Sequence, residues 1–186
     1  MAAVLAVFTG SAAVLERFPG DLAASEWVQS WRTPWLDSAM EGVSVAGEMV
    51  TAGLIVAATA ATLLILRRKS EASLIVAATL IDLGVRTTVK ALVARPRPPA
   101  DLVEVIREGE GFSFPSGHAL HYAAFLGLLL LMLPSIVGPG PRLRVAQGIL
   151  IAALVIVGFS RIYLGLHWLS DVIAGYAFGA VVAGAA

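Results

Sequence analysis

The chain predicts an all-α membrane protein, a polytopic helix bundle of about six transmembrane helices. Three observations carry that expectation. Of 186 residues, 58% are hydrophobic and 14% charged, against about 45–50% and about 25% in soluble domains. The mean hydropathy is +0.85. Apolar runs recur at about 2–15, 43–66, 72–94, 118–137, 145–160 and 168–186, and a helix needs about 20 residues to cross a bilayer. The formal net charge is zero, which offers no bulk attraction to nucleic acid. No cysteine is present, so disulfides, thiol catalysis and cysteine metal sites are excluded. No repeat or low-complexity tract divides the chain. It is expected to form a single membrane-embedded domain over 1–186, with its polar chemistry between about 82 and 175.

Taken in order, residues 2–15 make a short first span, tilted, truncated or partly interfacial. No basic stretch precedes this run, so it reads as a span rather than a secretory signal. Residues 16–41 hold Trp27, Trp31 and Trp35. Tryptophan favours the membrane interface, so this segment reads as a surface-lying connection. Glu48 stands alone near the second span's start, with no role assigned. Arg67-Arg68-Lys69 makes the next turn. The third span carries Asp82, Arg86 and Lys90 at steps of four, a polar stripe on one face. Asp82 and Arg86 read as a structural pair. Arg95-Pro96-Arg97-Pro98-Pro99 then stops the helix near Ala94, because a residue before proline avoids the α region.

Four acids, Asp101, Glu104, Glu108 and Glu110, decorate the following loop and suggest a solvated short helix, lid-like over the outer end. Pro115-Ser116-Gly117 opens the fourth span, with Ser116 as cap. Residues 139–144, Pro-Gly-Pro-Arg-Leu-Arg, turn into the fifth. The two basic turns fall on one side, which the positive-inside rule makes cytoplasmic. The connections bearing Lys90 to His118 and Arg161 to His167 then face outward. Lys90, Arg95, Arg97, Arg107 and Arg161 also fall on that outer side, and several are set aside as site residues rather than topology signals.

The chemistry concentrates in Ser160-Arg161-x5-His167-x3-Asp171. Four residues apart on a helix, His167 and Asp171 would share a face. The carboxylate would accept one imidazole N–H and fix the tautomer, leaving the other nitrogen free to attack. Arg161, just before that helix, offers a planar fork suited to phosphate oxygens. Lys90 and Arg97, at the third span's outer end, would converge on a dianion, or else snorkel to the interface. At Pro115-Ser116-Gly117-His118, the exposed N–H groups of a helix start bind phosphate. Gly117 admits close backbone approach, and His118 could donate a proton to a leaving oxygen. His121 with His118 and His167 invites a zinc reading, but no acid is placed as a fourth ligand. His121 reads instead as a satisfied polar residue in its span, and no metal is expected.

Together, Lys90-x6-Arg97-Pro98, Pro115-Ser116-Gly117-His118 and Ser160-Arg161-x5-His167-x3-Asp171 resemble the three motifs of the type 2 phosphatidic acid phosphatase superfamily, whose site is shared with vanadium haloperoxidases. The resemblance covers about residues 35–186. It implies that Lys90, Arg97 and Arg161 clamp the phosphate, with Ser116 and the Gly117 amide completing the cradle. It implies that His167 forms a phosphohistidine, Asp171 orients it, and His118 serves the leaving group and then water. The implied activity is a metal-independent lipid phosphatase without cofactor, in a bacterial cytoplasmic membrane with an extracytoplasmic site. Its substrate would be drawn from the bilayer: undecaprenyl pyrophosphate, phosphatidylglycerol phosphate, phosphatidic acid or diacylglycerol pyrophosphate. A lipid phosphotransferase and a non-enzymatic lipid carrier are the alternatives. A neutral His167 and a charged His118 would give a bell-shaped pH profile.

Overall fold

The computed structural model describes residues 2–186, and among them all regular structure is helical. The elements are α1 (Ala2–Ala12), α2 (Asp21–Gln29), α3 (Pro34–Ala46), α4 (Met49–Ile65), α5 (Lys69–Val93), α6 (Gly117–Val137), α7 (Pro141–Tyr163) and α8 (Leu169–Ala185). Three of them, α5, α6 and α7, are long and apolar enough to cross a membrane. A fourth span is possible if α3 and α4 are counted together; they meet at a bend of 62°. Helices α1 and α8 are apolar but shorter.

Helix α6 is the centre of the bundle and packs against α5, α7 and α8. Its closest partner is α8, and small residues explain why. A Cβ on Gly175 would stand 2.7 Å from the Ser116 carbonyl oxygen and 2.8 Å from the Ala119 Cβ. One turn later Gly179 sits tighter still against Leu120 and Ala123. Such spacing lets two backbones approach closely, which in lipid takes the place of a hydrophobic drive. The consequence for function is that the first turns of α6 and α8 lie side by side.

The helix boundaries follow local chemistry. Helix α5 ends with Ala94 in the left-handed region (φ 49°), where the proline-rich segment forces the chain to leave the helix. Pro141 opens α7 within the expected turn at 139–144, since its missing N–H costs nothing in a first turn. Arg68, in the α4–α5 turn, donates to Ser135 near the end of α6. The two basic turns therefore lie at one end of the bundle, opposite to the α5 C-terminus and the α6 N-terminus.

One expectation about the connections gains detail and one is corrected. The segment 16–41 contains two helices, α2 and α3, both packed on α7, with Trp27, Trp31 and Trp35 directed outward. The acidic stretch 101–110 contains no helix. Its backbone is held by other elements instead: Ile106 N–H donates to the Leu164 carbonyl (3.2 Å). The Gln29 side chain both donates to the Glu104 carbonyl (2.7 Å) and accepts from its N–H (3.0 Å). A backbone satisfied by such partners has no need of helix bonds.

Candidate active site

At the end away from the basic turns, a cavity of about 330 Å³ is lined by Leu83, Arg86, Thr87, Lys90, Arg97, Gly117, His118 and His167. Five of the eight residues singled out from sequence therefore meet around one space. The other three, Ser116, Arg161 and Asp171, are buried behind it.

His167 does not lie on a helix, which corrects the expected shared helical face. It sits in the turn between α7 and α8, and Asp171 is in the first turn of α8. The turn is built by Gly165 (φ 72°), where a side chain would strike the Glu104 carbonyl. The N–H groups of Leu166 and His167 both donate to the Arg161 carbonyl (3.1 and 3.2 Å). Arg161 itself belongs to the last turn of α7 rather than standing before the following helix. Its guanidinium is 1% exposed and donates to Ser160 Oγ at 3.1 and 3.0 Å.

The His167 ring is held from both sides. Its Nδ1 lies 3.7 Å from Asp171 Oδ2, too long for a hydrogen bond. Ser113 fills that gap: its Oγ is 3.3 Å from His167 Nδ1 and donates to Asp171 Oδ2 at 2.5 Å. A hydroxyl has one proton. With that proton given to the carboxylate, Ser113 can only accept from Nδ1–H. On the other side Arg97 Nη1 stands 3.3 Å from Nε2, and a guanidinium has no acceptor. Both neighbours thus specify the Nδ1–H tautomer, with the Nε2 lone pair facing the cavity. Burial pushes the His167 imidazole down to about 3, with Asp171 opposing and Arg97 and Lys90 reinforcing the shift. The ring is neutral at physiological pH.

Asp171 is the hub of a wholly buried polar network that sequence reasoning did not find. Its Oδ1 accepts from Arg95 Nη1 at 2.5 Å, and its Oδ2 also accepts the Trp168 N–H at 2.9 Å, capping α8. Arg95 in turn donates to Asp21 Oδ2 (2.9 Å) and to Ser170 Oγ (2.8 Å). Asp21 accepts the Ser170 N–H (2.8 Å). The Arg95 side chain is 0% exposed, a cation between two carboxylates. Helix α2 is thereby tied to the site. Arg95 stood out in the sequence as one half of a helix-stopping Arg-Pro pair and as one of several outer-side cations, and Asp21 not at all; nothing in the sequence joins residues 74 and 76 positions apart. Ser113 had no signal of its own either.

The cations differ in how they are held. Arg97 donates to the carbonyls of Leu166 (2.7 Å), Glu110 (2.7 Å) and Gly111 (3.2 Å). Burial lowers its pKa, opposed by Asp171. Lys90 donates to the Phe112 carbonyl. His118 Nε2 is 3.1 Å from the Ser44 carbonyl, which can only accept, so Nε2 carries a proton. Ser116 caps α6 through a long bond from the Ala119 N–H (3.5 Å). Its own N–H donates to the Asp171 carbonyl (3.0 Å).

Asp82 and Arg86 are not a pair, a further correction. Asp82 is 0% exposed and bonds His121 Nδ1 at 2.7 Å, while Arg86 turns to the cavity. A step of four on a helix allows that pairing but does not require it, and a partner on α6 was available. His121 thus has its partner in the span. Glu48, left without a role, pairs with Arg107. Among the described residues no group of three or more His, Cys, Asp or Glu side chains is arranged to hold a metal ion.

The pattern of the PAP2 superfamily matches residues 70–186. The chain is 28% identical over 163 residues to phosphatidylglycerophosphatase B of Bacillus subtilis (strain 168), covering 86% of this chain and 77% of that one. It is 34% identical over 172 residues to decaprenylphosphoryl-5-phosphoribose phosphatase of Mycobacterium tuberculosis, covering 90% and 89%. The crystal structure of a transmembrane PAP2-type phosphatidylglycerolphosphate phosphatase from Bacillus subtilis shares the fold, with a TM-score of 0.84 at 23% identity, covering 98% of this chain and 92% of that one.

Proposed function

Since the chain belongs to the PAP2 superfamily, we propose that it is an integral-membrane lipid phosphatase that works through a phosphohistidine on His167. The observation that carries this is the doubly fixed His167 ring, with a neutral Nε2 facing a cavity that also holds Lys90, Arg97 and His118. Phosphoryl transfer asks a protein mainly for positioning and for neutralisation of the equatorial oxygens. Lys90 and Arg97 line the space in which that charge develops, and Arg161 reinforces it from behind. Ser116 and the Gly117 amide complete the cradle at the start of α6, where helix N–H groups favour an anion.

The steps follow from this placement. The terminal phosphate displaces Arg97 from Nε2. The Nε2 lone pair attacks phosphorus in line, the P–O bond to the leaving group breaks, and the phosphoryl group becomes bonded to His167. The positive charge left on the imidazole is stabilised through Ser113 by Asp171. His118 must be charged for this step: with a proton on each ring nitrogen, it keeps Nε2–H on the Ser44 carbonyl and gives the leaving oxygen the proton from Nδ1, ending as the neutral ring. It then takes one from the water that cleaves the phosphohistidine.

The polar end is read as extracytoplasmic, opposite the basic turns, in a cytoplasmic membrane. Six crossings result if α1, the bent α3–α4 pair and α5 to α8 each span, as one domain over 1–186. The substrate is a lipid phosphomonoester or diphosphate reached from the bilayer. Phosphate release by the detergent-purified protein, measured over phosphatidic acid, phosphatidylglycerol phosphate and a polyprenyl diphosphate with EDTA present, tests this reading. Release by wild type and none by His167→Ala is expected. No release from any lipid would refute it in favour of a phosphotransferase or a carrier.

A further inference from the structure

Arg86 is the cation in the cavity that the mechanism does not use. It was expected to pair with Asp82, but Asp82 is committed to His121 (2.7 Å). Among the described residues Arg86 forms no ion pair with a carboxylate, although it lies within a helix long and apolar enough to cross a membrane. An arginine there is costly unless it serves a site. Its side chain is only partly buried and faces the same cavity as Lys90, Arg97 and His167.

Two facts fix what it would meet. The first is depth. Arg86 stands four residues before Lys90, about 6 Å further into the bilayer at 1.5 Å per residue. A lipid whose terminal phosphate lies at Lys90 and Arg97 must run past that level to place its tail in the membrane. Leu83 (42% exposed) and Thr87, on the same stretch of α5, carry the cavity wall out to the lipid-facing surface. The second is side. Arg97 touches the attacking nitrogen of His167. Arg86 lies beside Gly117, with its Cδ and Nη1 each 3.6 Å from where a Gly117 Cβ would stand, next to His118. An in-line displacement puts the leaving group opposite the nucleophile, where the phosphatase reading sets His118 to serve it, and Arg86 beside Gly117 is the cation next to that residue.

Resting on the phosphatase reading above, we infer that Arg86 is a subsite for a second phosphate in the leaving group. The preferred substrate is then a lipid carrying two phosphates, an outer one that is cleaved and an inner one through which the lipid is attached. The inner phosphate is bonded directly to the outer one in a lipid diphosphate, or separated from it by a short polyol. Guanidinium is suited to hold it in either case, by paired hydrogen bonds to phosphate oxygens.

The test compares wild type, Arg86→Ala, Arg86→Gln and Arg86→Lys on three lipids in the same detergent micelles. These are farnesyl diphosphate, phosphatidylglycerol phosphate and phosphatidic acid, the last with a single phosphate. The readout is the ratio of kcat/KM for each two-phosphate lipid to that for phosphatidic acid. In Arg86→Ala and Arg86→Gln this ratio is expected to fall about tenfold to a hundredfold, the loss of one charge-assisted contact, with partial recovery in Arg86→Lys. The two-phosphate lipid that loses most identifies the spacing. Equal losses on all three lipids, or wild-type activity on phosphatidic acid alone, would overturn the inference and leave the phosphatase reading intact. No phosphate release from any lipid by wild type would strike the phosphatase reading itself.

Discussion

Catalytic competence in this chain depends on how individual side chains are held as much as on which ones are present. Arg95 is not placed to touch substrate, yet it neutralises Asp171 and Asp21 in a site closed to water. Removing one partner of a buried pair costs about 3–5 kcal/mol. Arg95→Ala is therefore expected to lower thermal stability in detergent and to cut kcat far more than it changes KM, because the loss falls on Asp171 and the His167 ring. Comparable changes in KM would mean that Arg95 binds substrate. Ser113→Ala removes the bridge between His167 Nδ1 and Asp171 Oδ2. Its kcat is expected to fall by about tenfold, the effect of one hydrogen bond to a charged group, with KM nearly unchanged. Neither residue could be recognised from sequence. Sequence spacing marks residues that share a helix face, whereas Ser113 and Arg95 reach Asp171 from the α5–α6 connection, and Asp21 joins the network through Arg95 and Ser170 from α2. The motif residues Lys90, Arg97, His118 and His167 were legible because polar side chains in an apolar chain stand out, and the structure brings them to one cavity.

Helix breaks and close helix contacts position those residues. The bend between α3 and α4 delivers the Ser44 carbonyl and Gly47 to the His118 ring. A Cβ on Gly47 would overlap that ring, standing 2.7 Å from its Nε2. A side-chain ring can move where backbone cannot. Gly47→Ala is therefore expected to keep thermal stability within a few degrees while lowering kcat, measured by phosphate release; unchanged kcat would show that the His118 position is not critical. The α6–α8 contact leaves no such freedom. Gly175→Val would press on the Ser116 carbonyl and the Ala119 Cβ, and overpacking of this kind costs about 1–3 kcal/mol, to be read as a lowered Tm. Helix boundaries were largely legible, because proline and apolar run length are local signals. The α5 end at Ala94 and the start of α6 at Gly117 fall within a residue of expectation. The bend at 46–49, the helices α2 and α3, and the coil at 101–110 were not legible, since each is decided by partners distant in sequence.

For the molecule as a whole, burial of His167 ties stability to pH. The ring's folded-state value near 3 lies below that of an unfolded histidine, about 6.5. The folded protein therefore resists the proton that the unfolded chain accepts. Stability from this group is complete above about pH 6.5 and is lost as pH falls toward 3. Thermal melts of wild type and His167→Gln in detergent are expected to diverge over that window, with the wild type losing Tm more steeply on acidification. Parallel curves would mean that the imidazole is not held neutral. The same neutrality keeps the Nε2 lone pair available at physiological pH, so His167 should not limit activity there. Membrane character and the all-helical class were legible from composition together with apolar runs of helix-spanning length, because a bilayer sets that length through its thickness and requires backbone groups to be satisfied internally. The polar cluster at the end away from the basic turns followed from placing three motifs at three helix ends. The measurement that most directly tests the account is rapid acid-free quenching of the purified protein during turnover of a lipid phosphate, followed by peptide mass spectrometry. A phosphoryl group on the peptide bearing His167, missing in His167→Ala, is the predicted result. Full turnover without any phosphoenzyme, or a phosphoryl group on another residue, would contradict it.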